Sequence, residues 1–273
     1  MKISKGDEIN MGNVLMHENE LKRDLFKKDK TSLREVVTIT NINDLILPRI
    51  SYKVDGIEYE NEVEQELKTK SDLIKFTKNK FKISVNIPNI VNDVDNKWVI
   101  TYLKDKLRQA LEYREKYCIF KNINTEEEHM NIYSSQNAIK EIEGENLFKT
   151  IKNSLADLGD MYCENTAIVM RKTDYIKMIC DLSDENNNFY NKQFESILGV
   201  KLIFCEFAEK PVIGDFSKLH INYENGILFE KDVNATDNFN KIIVSGNFDI
   251  RLLLTSAFRI AEVQSVSRLT KKD

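Results

Sequence analysis

The sequence predicts an α+β protein organised around one long amphipathic helix. From Asn96 to Lys121, apolar residues recur at helical spacing over about six turns. The apolar stripe consists of Val99, Leu103, Leu107, Ala110, Leu111, Tyr113 and Tyr117. The charged face opposite it carries Lys104, Asp105, Arg108, Glu112, Glu115 and Lys116. Strand-like and helical segments alternate along the rest of the chain, and this alternation completes the α+β prediction.

Length and composition indicate a protein with a substantial core. The chain has 273 residues, of which 41% are hydrophobic and 31% charged, enough for one large or two modest domains. The net charge of −4 offers no overall basic surface of the kind that nucleic-acid-binding proteins present. The N-terminal region lacks the apolar core of a signal peptide, and no apolar run approaches the ~18 residues that span a bilayer. We therefore expect neither secretion nor membrane insertion.

The cysteines lie far apart in the sequence and form no C-x-x-C pair. They are Cys118, Cys163, Cys180 and Cys205, each among apolar residues. This context predicts buried, reduced thiols, as expected for a protein that assembles in a cytoplasm.

Residues 1–30 are predicted to form a polar, charged arm. Leu21, Leu25 and Phe26 give only a thin apolar stripe, which predicts a segment that is ordered only when docked on something. A basic cluster in this arm consists of Lys22, Arg23, Lys27, Lys28 and Lys30. Acidic residues interleave with that cluster, so a solvated face is favoured over nucleic-acid contact. From Leu33 to Ile50 the chain is β-branched and strand-like, with an end at Pro48.

A long charged ribbon is predicted between residues 58 and 82. Glutamates at every second position line one face of a strand, namely Glu58, Glu60, Glu62, Glu64 and Glu66. Lys78, Lys80 and Lys82 repeat the same period on the return, so a hairpin centred near Ser71 places the two rows opposite each other. A two-stranded ribbon is marginal alone in water, so we expect it to lie on another surface. A polar loop is the alternative interpretation.

The elements that follow the ribbon are predicted from local signals. Pro88 ends the return strand, and residues 92–96 supply the polar side chains that begin the long helix. A polar excursion without clear period follows Lys121. The next helix is marked by Leu147, Ile151, Leu155 and Leu158 and ends at Gly159.

Strands and helices then alternate. Thr166–Met170 is predicted as a short buried strand, and the helix after it is capped by Thr173 or Asp174. Another strand is predicted at Ile197–Phe207, entered through Gly199.

Turn signals divide the last part of the chain. Gly214-Asp215 predicts a turn, and Asn225-Gly226 predicts a hairpin turn within Leu219–Glu230. The final strands are predicted at Phe239–Leu254 and Ala257–Val263.

Little in the sequence indicates catalysis. His17, His129 and His220 are isolated, and although His129 follows three glutamates, no partner spacing supports a metal site. Phosphate-binding, dinucleotide-binding and nucleophile-elbow motifs do not occur. We predict no catalytic, cofactor-binding or metal-binding residues. The arm and the ribbon cannot be stable alone, which suggests assembly with copies of the same chain.

Several stretches together follow the order of elements of one known family. ELKTKSDLIKFTKNKFKISVNIPNIVNDVD and the long helix after it resemble the extended hairpin, return strand and spine helix of tailed-phage major capsid proteins of the Hong Kong 97 type. NTAIVMRKTDYIKMICDLSD, ILGVKLIFCEF and VIGDFSK are similar to the family's strand and helix, its next strand and a G-D-F turn. DNFNKIIVSGNFDIRLLLTSAF, which contains Arg251, resembles the closing strand. The resemblance covers residues 33–263.

The resemblance implies an L-shaped subunit of a phage or prophage shell. Residues 1–45 are expected to form the N-terminal arm, and residues 46–123 the extended β-hairpin loop and the peripheral domain with the spine helix. Residues 124–223 are expected to form the axial domain, and residues 224–273 the returning peripheral strands and a C-terminal tail. Residues expected to contact neighbouring subunits are Glu58, Glu60, Glu62, Glu64, Glu66, Lys78, Lys80, Lys82 and Arg251.

The same resemblance implies the partners of the subunit. Copies are expected to form hexamers and pentamers that close an icosahedral shell around double-stranded DNA, without sequence-specific binding, a membrane or a cofactor. The shell is expected in the virion, assembled in the cytoplasm of a bacterial host. Only a short arm precedes the matched region, which implies a separate scaffold protein or a processed product, and a portal is a further expected partner.

Two other interpretations remain. An encapsulin, a bacterial shell that encloses an enzyme, has similar elements, but the charged arm offers no obvious groove for docking cargo. An enzyme of unrecognised type is the third, and no polar cluster in the sequence supports it.

Overall fold

Two sheets carry most of the structure. The computed structural model describes residues 8–11, 14–17, 24–27, 32–48, 73–88, 96–121, 124–185, 196–234 and 239–263. One sheet has four strands and the other has six. Two small antiparallel pairs accompany them: β1 (Glu8–Met11) with β2 (Val14–His17), and β4 (Ile46–Pro48) with β5 (Leu73–Lys75).

The four-stranded sheet contains the longest strands. Its order is β3 (Thr38–Thr40), β12 (Leu219–Asn234), β13 (Phe239–Leu252) and β6 (Asn79–Pro88). β12 and β13 pair antiparallel along their whole length, and β6 runs antiparallel to β13 on its other side. β3 joins β12 in parallel. The predicted end of the return strand at Pro88 is confirmed.

Helix α1 (Asn96–Phe120) contacts β6 and β13 and confirms the predicted long helix. Leu103, Leu107 and Leu111 are buried in the main core, as the helical period predicts. Two predictions for this helix are wrong. Tyr113 of the predicted stripe is 55% exposed, whereas Glu115, assigned to the charged face, is 2% exposed. Glu115 lies four residues after Leu111, so it continues the buried stripe.

The six-stranded sheet is mixed. Its order is β7 (Lys140–Gly144), β14 (Phe258–Val263), β11 (Val212–Asp215), β8 (Thr166–Met170), β10 (Val200–Phe204) and β9 (Ser196–Ile197). β7 runs parallel to β14 and β8 parallel to β10, while the other neighbours are antiparallel. The predicted buried strand is β8, whose last four side chains are fully buried.

Two further helices accompany this sheet. α2 (Leu147–Asp157) packs against β7 and β14 and confirms the predicted second helix, which stops before Gly159. α3 (Lys172–Glu185) follows β8 and begins one residue before Thr173. Neither Thr173 nor Asp174 is therefore the residue that precedes the helix, and Asp174 lies in its first turn.

Asn225-Gly226 does not form the predicted hairpin turn. β12 runs through both residues, and its register with β13 shifts between Glu224 and Ile227. Both residues have positive φ angles, 58° and 73°. The pair therefore supplies the left-handed backbone of a β-bulge. β12 stays continuous because β13 pairs with it before and after the bulge.

Gly214-Asp215 does not form the predicted turn either, since both residues are buried in β11. A Cβ on Gly214 would lie 2.3 Å from the carbonyl oxygen of Ala257, so glycine permits this close approach of two backbones. Asp215 instead caps the 3₁₀ helix Phe216–Lys218 by accepting a hydrogen bond from Ser217 N at 3.0 Å.

Two predicted strands are interrupted. Leu198 and Gly199 have φ angles of 53° and 80°, and they separate β9 from β10 within the predicted strand Ile197–Phe207. The predicted strand Leu33–Ile50 contains a 3₁₀ helix at Leu33–Glu35 followed by β3 and β4. The polar excursion after α1 contains the 3₁₀ helix Thr125–Met130 and β7.

Part of the predicted arm docks on its own subunit. Leu25 is fully buried in the main core, and the ring of Phe26 packs edge-on against Tyr223 with centroids 4.9 Å apart. The docking surface for this part of the arm is therefore intramolecular.

The cysteines divide into two classes. All four are free thiols. Cys118 and Cys205 are buried as predicted, whereas Cys163 and Cys180 are exposed, so the predicted burial is wrong for that pair. Among the described helices, none combines the length and the apolar character needed to cross a membrane.

Candidate functional site

The predicted contact residues that the structure describes lie on β6 and at one end of the four-stranded sheet. At that end, alternate residues of β12 and β13 place polar side chains on the face opposite the aromatic residues. These are His220, Asn222 and Glu224 on β12, and Asn247, Asp249 and Arg251 on β13. The core face carries Tyr223 and Phe248, whose rings stack with centroids 5.9 Å apart. Strand alternation thus separates an aromatic core face from a polar face on the other side of the sheet.

The segment after β3 is held to β12 by alternate side chains. Asn222 Oδ1 accepts from Ile42 N at 3.0 Å, and Asn222 Nδ2 donates to Ile42 O at 2.8 Å. Glu224 Oε1 accepts from Asp44 N at 3.0 Å. These bonds continue the attachment where the backbone ladder of β3 has ended. At Asp44 the φ angle is 49°, a left-handed conformation found in turns.

Beyond Asp44 the chain forms a short stem in which β4 pairs with β5. Phe76 N donates to Leu45 O at 3.1 Å, which extends the pairing towards the sheet. The inner side of the stem has its own small hydrophobic cluster, separate from the main core, made of Leu45, Ile74 and Phe76 with Leu47 and Leu253 packed against it. Residues 49–72, which connect the two stem strands, lie outside the described residues.

Asp249 is the most densely bonded group of this region, and it is 1% exposed. Its Oδ2 accepts from Thr77 N at 2.7 Å and Thr77 Oγ1 at 3.0 Å, and lies 2.8 Å from Arg251 Nε. Its Oδ1 lies 2.6 Å from His129 Nε2 and accepts from Asn79 Nδ2 at 3.2 Å. Burial by itself raises the pKa of this carboxyl, but the His129 hydrogen bond and the Arg251 charge outweigh burial and lower it.

The predicted contact residues have different surroundings. Lys78 Nζ lies 2.8 Å from Glu224 Oε1 and 3.2 Å from Asp44 Oδ1, so it bridges both ends of the stem. Arg251 binds Asp249 beside it. Lys80 and Lys82 are exposed along β6, where the register places them opposite Asn247 and Ser245 of β13. The predicted glutamate row, Glu58 to Glu66, lies outside the described residues. The predicted hairpin centred near Ser71 is wrong, because the residues just after Ser71, Leu73–Lys75, pair with Ile46–Pro48.

A buried ionic network joins the N-terminal segment to α1. Arg34 Nε and Nη2 each bind one carboxylate oxygen of Glu115 at 2.7 Å. Arg34 Nη1 donates to Leu25 O, and Tyr223 donates its hydroxyl hydrogen to Glu115. Burial opposes the charge of Arg34, but Glu115 outweighs it and raises the guanidinium pKa. The one sequence signal for this network was the position of Glu115 in the apolar stripe.

The other polar groups have structural roles. His220 Nε2 lies 2.7 Å from Thr40 Oγ1, and burial lowers the pKa of His220. Burial raises the pKa of the Cys118 thiol to about 12, so this group is not a ready nucleophile. In the part of the chain that the structure describes, no three His, Cys, Asp or Glu residues are arranged to hold a metal ion.

Among the large apolar side chains that are exposed, two groups lie on neighbouring elements. The first is the outer side of the stem and the segment before it, with Ile42, Ile46 and Leu73. The second is formed by α3 and the β9–β10 hairpin, with Ile176, Leu198 and Phe204. Contiguous exposed apolar patches are typical of surfaces that contact other macromolecules.

Comparisons with known proteins give structural matches. No protein-family model and no curated protein matches the sequence. The capsid of the native GTA particle has a TM-score of 0.60 at 12% identity, covering 88% of this chain and 92% of that one. A chain of the satellite phage P4 procapsid has a TM-score of 0.56 at 10% identity, covering 96% and 95%. The holo-SrpI encapsulin complex from Synechococcus elongatus has a TM-score of 0.54 at 11% identity, covering 87% and 89%.

Proposed function

Since this chain has the fold of phage capsid proteins, we propose that it is the major capsid subunit of a tailed phage or prophage, of the Hong Kong 97 type. The observation that carries the proposal is the likeness to the GTA capsid over 88% of the chain. A match that covers 88% of this chain and 92% of the other concerns the subunit as a whole and not one common motif.

The geometry of the subunit supports a role in assembly. A connection of 24 residues, 49–72, joins the two strands of the stem, β4 and β5. The outer side of the stem exposes apolar residues, and a second apolar region lies on α3 and the β9–β10 hairpin. A subunit of a closed shell needs contact surfaces on several sides, because each copy meets several neighbours.

We propose the following domain boundaries. The peripheral domain is proposed at residues 46–123 and 224–273, which contain α1, β6, β13 and most of β12, whereas β3 of the same sheet lies in the proposed arm. The axial domain is proposed at residues 124–223, which supply five strands of the six-stranded sheet, with β14 added from the end of the chain. Residues 1–45 remain the proposed N-terminal arm.

The proposed partners are copies of this chain, in hexamers and pentamers of an icosahedral shell. Packaged double-stranded DNA, a separate scaffold protein and a portal complete the proposed assembly, which takes place in the host cytoplasm and persists in the virion. Glu58, Glu60, Glu62, Glu64, Glu66, Lys78, Lys80, Lys82 and Arg251 are proposed to act at or near subunit contacts.

Electron microscopy of the purified full-length protein tests this proposal. We expect polyhedral particles of uniform diameter, alone or after co-expression with a scaffold protein from the same genetic neighbourhood. A protein that stays monomeric under both conditions contradicts the proposed function.

A shell of the encapsulin type is the second candidate, favoured by the structural likeness to the SrpI encapsulin complex. The contents of particles isolated from the natural source discriminate between the two. Packaged double-stranded DNA supports the phage capsid, whereas an enclosed enzyme without DNA supports the encapsulin.

A further inference from the structure

We propose that Glu224 and Asp249 are positioning residues that fix the direction in which the loop between Asp44 and Thr77 leaves the sheet. The inference rests on the proposed function, because this loop is the segment proposed to reach a neighbouring subunit. It goes beyond that function by assigning the control of loop direction to two buried carboxylates.

The two carboxylates hold opposite ends of the loop. Glu224 accepts from Asp44 N at 3.0 Å and binds Lys78 Nζ at 2.8 Å. Asp249 accepts from Thr77 N at 2.7 Å. The register pairs Asn222 with Asp249, so Glu224 and Asp249 are diagonal neighbours on the same face of adjacent strands. The entry of the loop is tied to β12 and its exit to β13.

These bonds are directional, whereas the apolar contacts below the stem are not. The cluster of Leu45, Ile74 and Phe76 holds the stem against the sheet, but burial of apolar surface leaves the angle of approach free. A carboxylate that accepts from a backbone amide requires a defined distance and angle. The carboxylates therefore supply the orientation that the small cluster does not.

Because both carboxylates are buried, a change in the orientation of the stem would cost free energy. Asp249 and Glu224 are 1% and 3% exposed, and a buried carboxylate is tolerated only when donors surround it. A tilt of the stem would remove the Thr77 donors from Asp249. The carboxylate would keep its contacts with Arg251 and His129 but would lose both Thr77 donors, and this loss costs free energy.

Asp249 also connects the loop to a third element. His129 belongs to the 3₁₀ helix Thr125–Met130, which follows α1. Its Nε2 lies 2.6 Å from Asp249, on the carboxylate oxygen that Thr77 does not use. The direction of the loop is thus set relative to the segment after α1 as well as to the sheet.

Hydrogen exchange of the full-length subunit, followed by mass spectrometry, tests the proposal. In D249N and E224Q we expect amides of residues 42–48 and 73–79 to exchange about tenfold faster or more, with α1 amides unchanged. E230Q is the matched control, since Glu230 is exposed on the same strand and the same face. T77V removes the hydroxyl hydrogen bond to Asp249 and keeps the carboxylate, whereas T77S retains that bond. If D249N does not fold, faster stem exchange in T77V than in T77S tests the proposal.

Particle geometry separates positioning from simple stabilisation. Variants that fold and still assemble are expected to give particles of mixed diameter, while E230Q and T77S give the uniform particles of the parent. Unchanged stem exchange in D249N, E224Q and T77V overturns the proposal. Faster stem exchange with particles identical to those of the parent overturns the positioning role. If the parent itself forms no particles, the proposed function is contradicted. The role of the two carboxylates in holding the stem is then tested by the exchange rates alone.

Discussion

At the scale of single residues, the network of Arg34, Glu115 and Tyr223 shows how a charge becomes part of a core. All three side chains are almost fully buried, and Arg34 binds Glu115 through two parallel hydrogen bonds. Two desolvated charges are tolerated here because they bind each other and because Leu25 O and the Tyr223 hydroxyl supply further hydrogen bonds. The network fastens the N-terminal segment to α1 and to β12.

Replacing Arg34 with methionine is expected to destabilise the subunit strongly. The change leaves Glu115 buried without its partner, which costs about 3–5 kcal/mol of unfolding free energy. The double variant R34M/E115L removes both charges, so it is expected to be more stable than R34M. Denaturant unfolding monitored by circular dichroism measures both. If the losses in R34M and in the single variant E115L add up to the loss in the double variant, the charges are not energetically coupled.

His220 is expected to make stability depend on pH in a mildly acidic range. Burial lowers its pKa in the folded state, so protonation favours the unfolded chain, whose histidine titrates near pH 6.5. The stability contributed by neutral His220 is complete above that pH and is lost as the pH falls towards the folded pKa. Asp249 does not add to the change of stability with pH in this range, because its pKa is lowered below that of an ordinary aspartate.

The variant H220Q should lose less stability than the parent on acidification. Glutamine keeps a polar group near Thr40 and does not titrate. Melting temperatures of the two proteins at about pH 7.5 and about pH 5.5 give the comparison. An identical decrease in both proteins would assign the pH dependence to other groups.

At the scale of elements, the bulge in β12 lets this strand continue past Asn225-Gly226 in place of a turn. Asn225 and Gly226 carry the left-handed conformation that would otherwise reverse the chain. Opposite the bulge, a Cβ on Gly246 would lie 2.9 Å from the carbonyl oxygen of Gly226, so glycine at position 246 permits this close approach of the two strands. The bulge lies directly after Glu224, beside the base of the stem.

Substitution of Gly226 tests the bulge. G226A places a Cβ on a residue with a φ angle of 73°, at an expected cost of about 1 kcal/mol or more. G226N is expected to cost less, because asparagine tolerates the left-handed region better than alanine does. Chemical denaturation of G226A and G226N measures which of the two is more stable. If alanine and asparagine are equally tolerated, the positive φ angle does not limit stability here.

At the scale of the whole molecule, we propose separate roles for the stem and for residues 49–72. The stem packs its own small cluster on the sheet, so it belongs to the fold of the subunit. Residues 49–72 are proposed to act between subunits. Stability of the monomer and assembly of the shell should therefore respond differently to changes in the two parts.

Deleting residues 49–72 and joining Pro48 to Leu73 by a short turn is expected to abolish shell formation. The subunit should remain folded, with a melting temperature only a few degrees lower, because the stem and both sheets are kept. Calorimetry and electron microscopy measure the two effects. A control deletion of residues 63–76 also removes Ile74 and Phe76 from the small cluster, so it should lower the melting temperature further. Normal particles from the first variant would contradict the assembly role of the loop.

The net charge of the subunit predicts weak binding to duplex DNA. A net charge of −4 provides few phosphate contacts, each of which would add salt-dependent affinity. Fluorescence anisotropy with a labelled duplex should show a dissociation constant above about 1 μM at physiological salt. Tighter binding would indicate a local basic surface. It would contradict the expectation that the shell encloses DNA without binding it tightly.

The sequence alone determined the elements whose signals are local. The periodicity of α1, the apolar run of β8 and the stop at Pro88 depend on residues within a few positions of one another, so they were predictable. The order of these elements also carried the capsid resemblance, which the structural likeness to phage capsids confirms at the level of the fold.

Tertiary structure decided the features that depend on distant partners. Glu115 is buried because Arg34, 81 positions away, neutralises it. Asn225-Gly226 forms a bulge because β13 pairs with β12 on both sides of it, whereas the same dipeptide signals a turn when only its neighbours are considered. Thr77 and Asp249 meet across 172 positions. A buried charge needs an opposite charge or a hydrogen-bond partner, and a strand edge needs a neighbouring strand. These partners lie far away in the sequence, so local patterns do not reveal them.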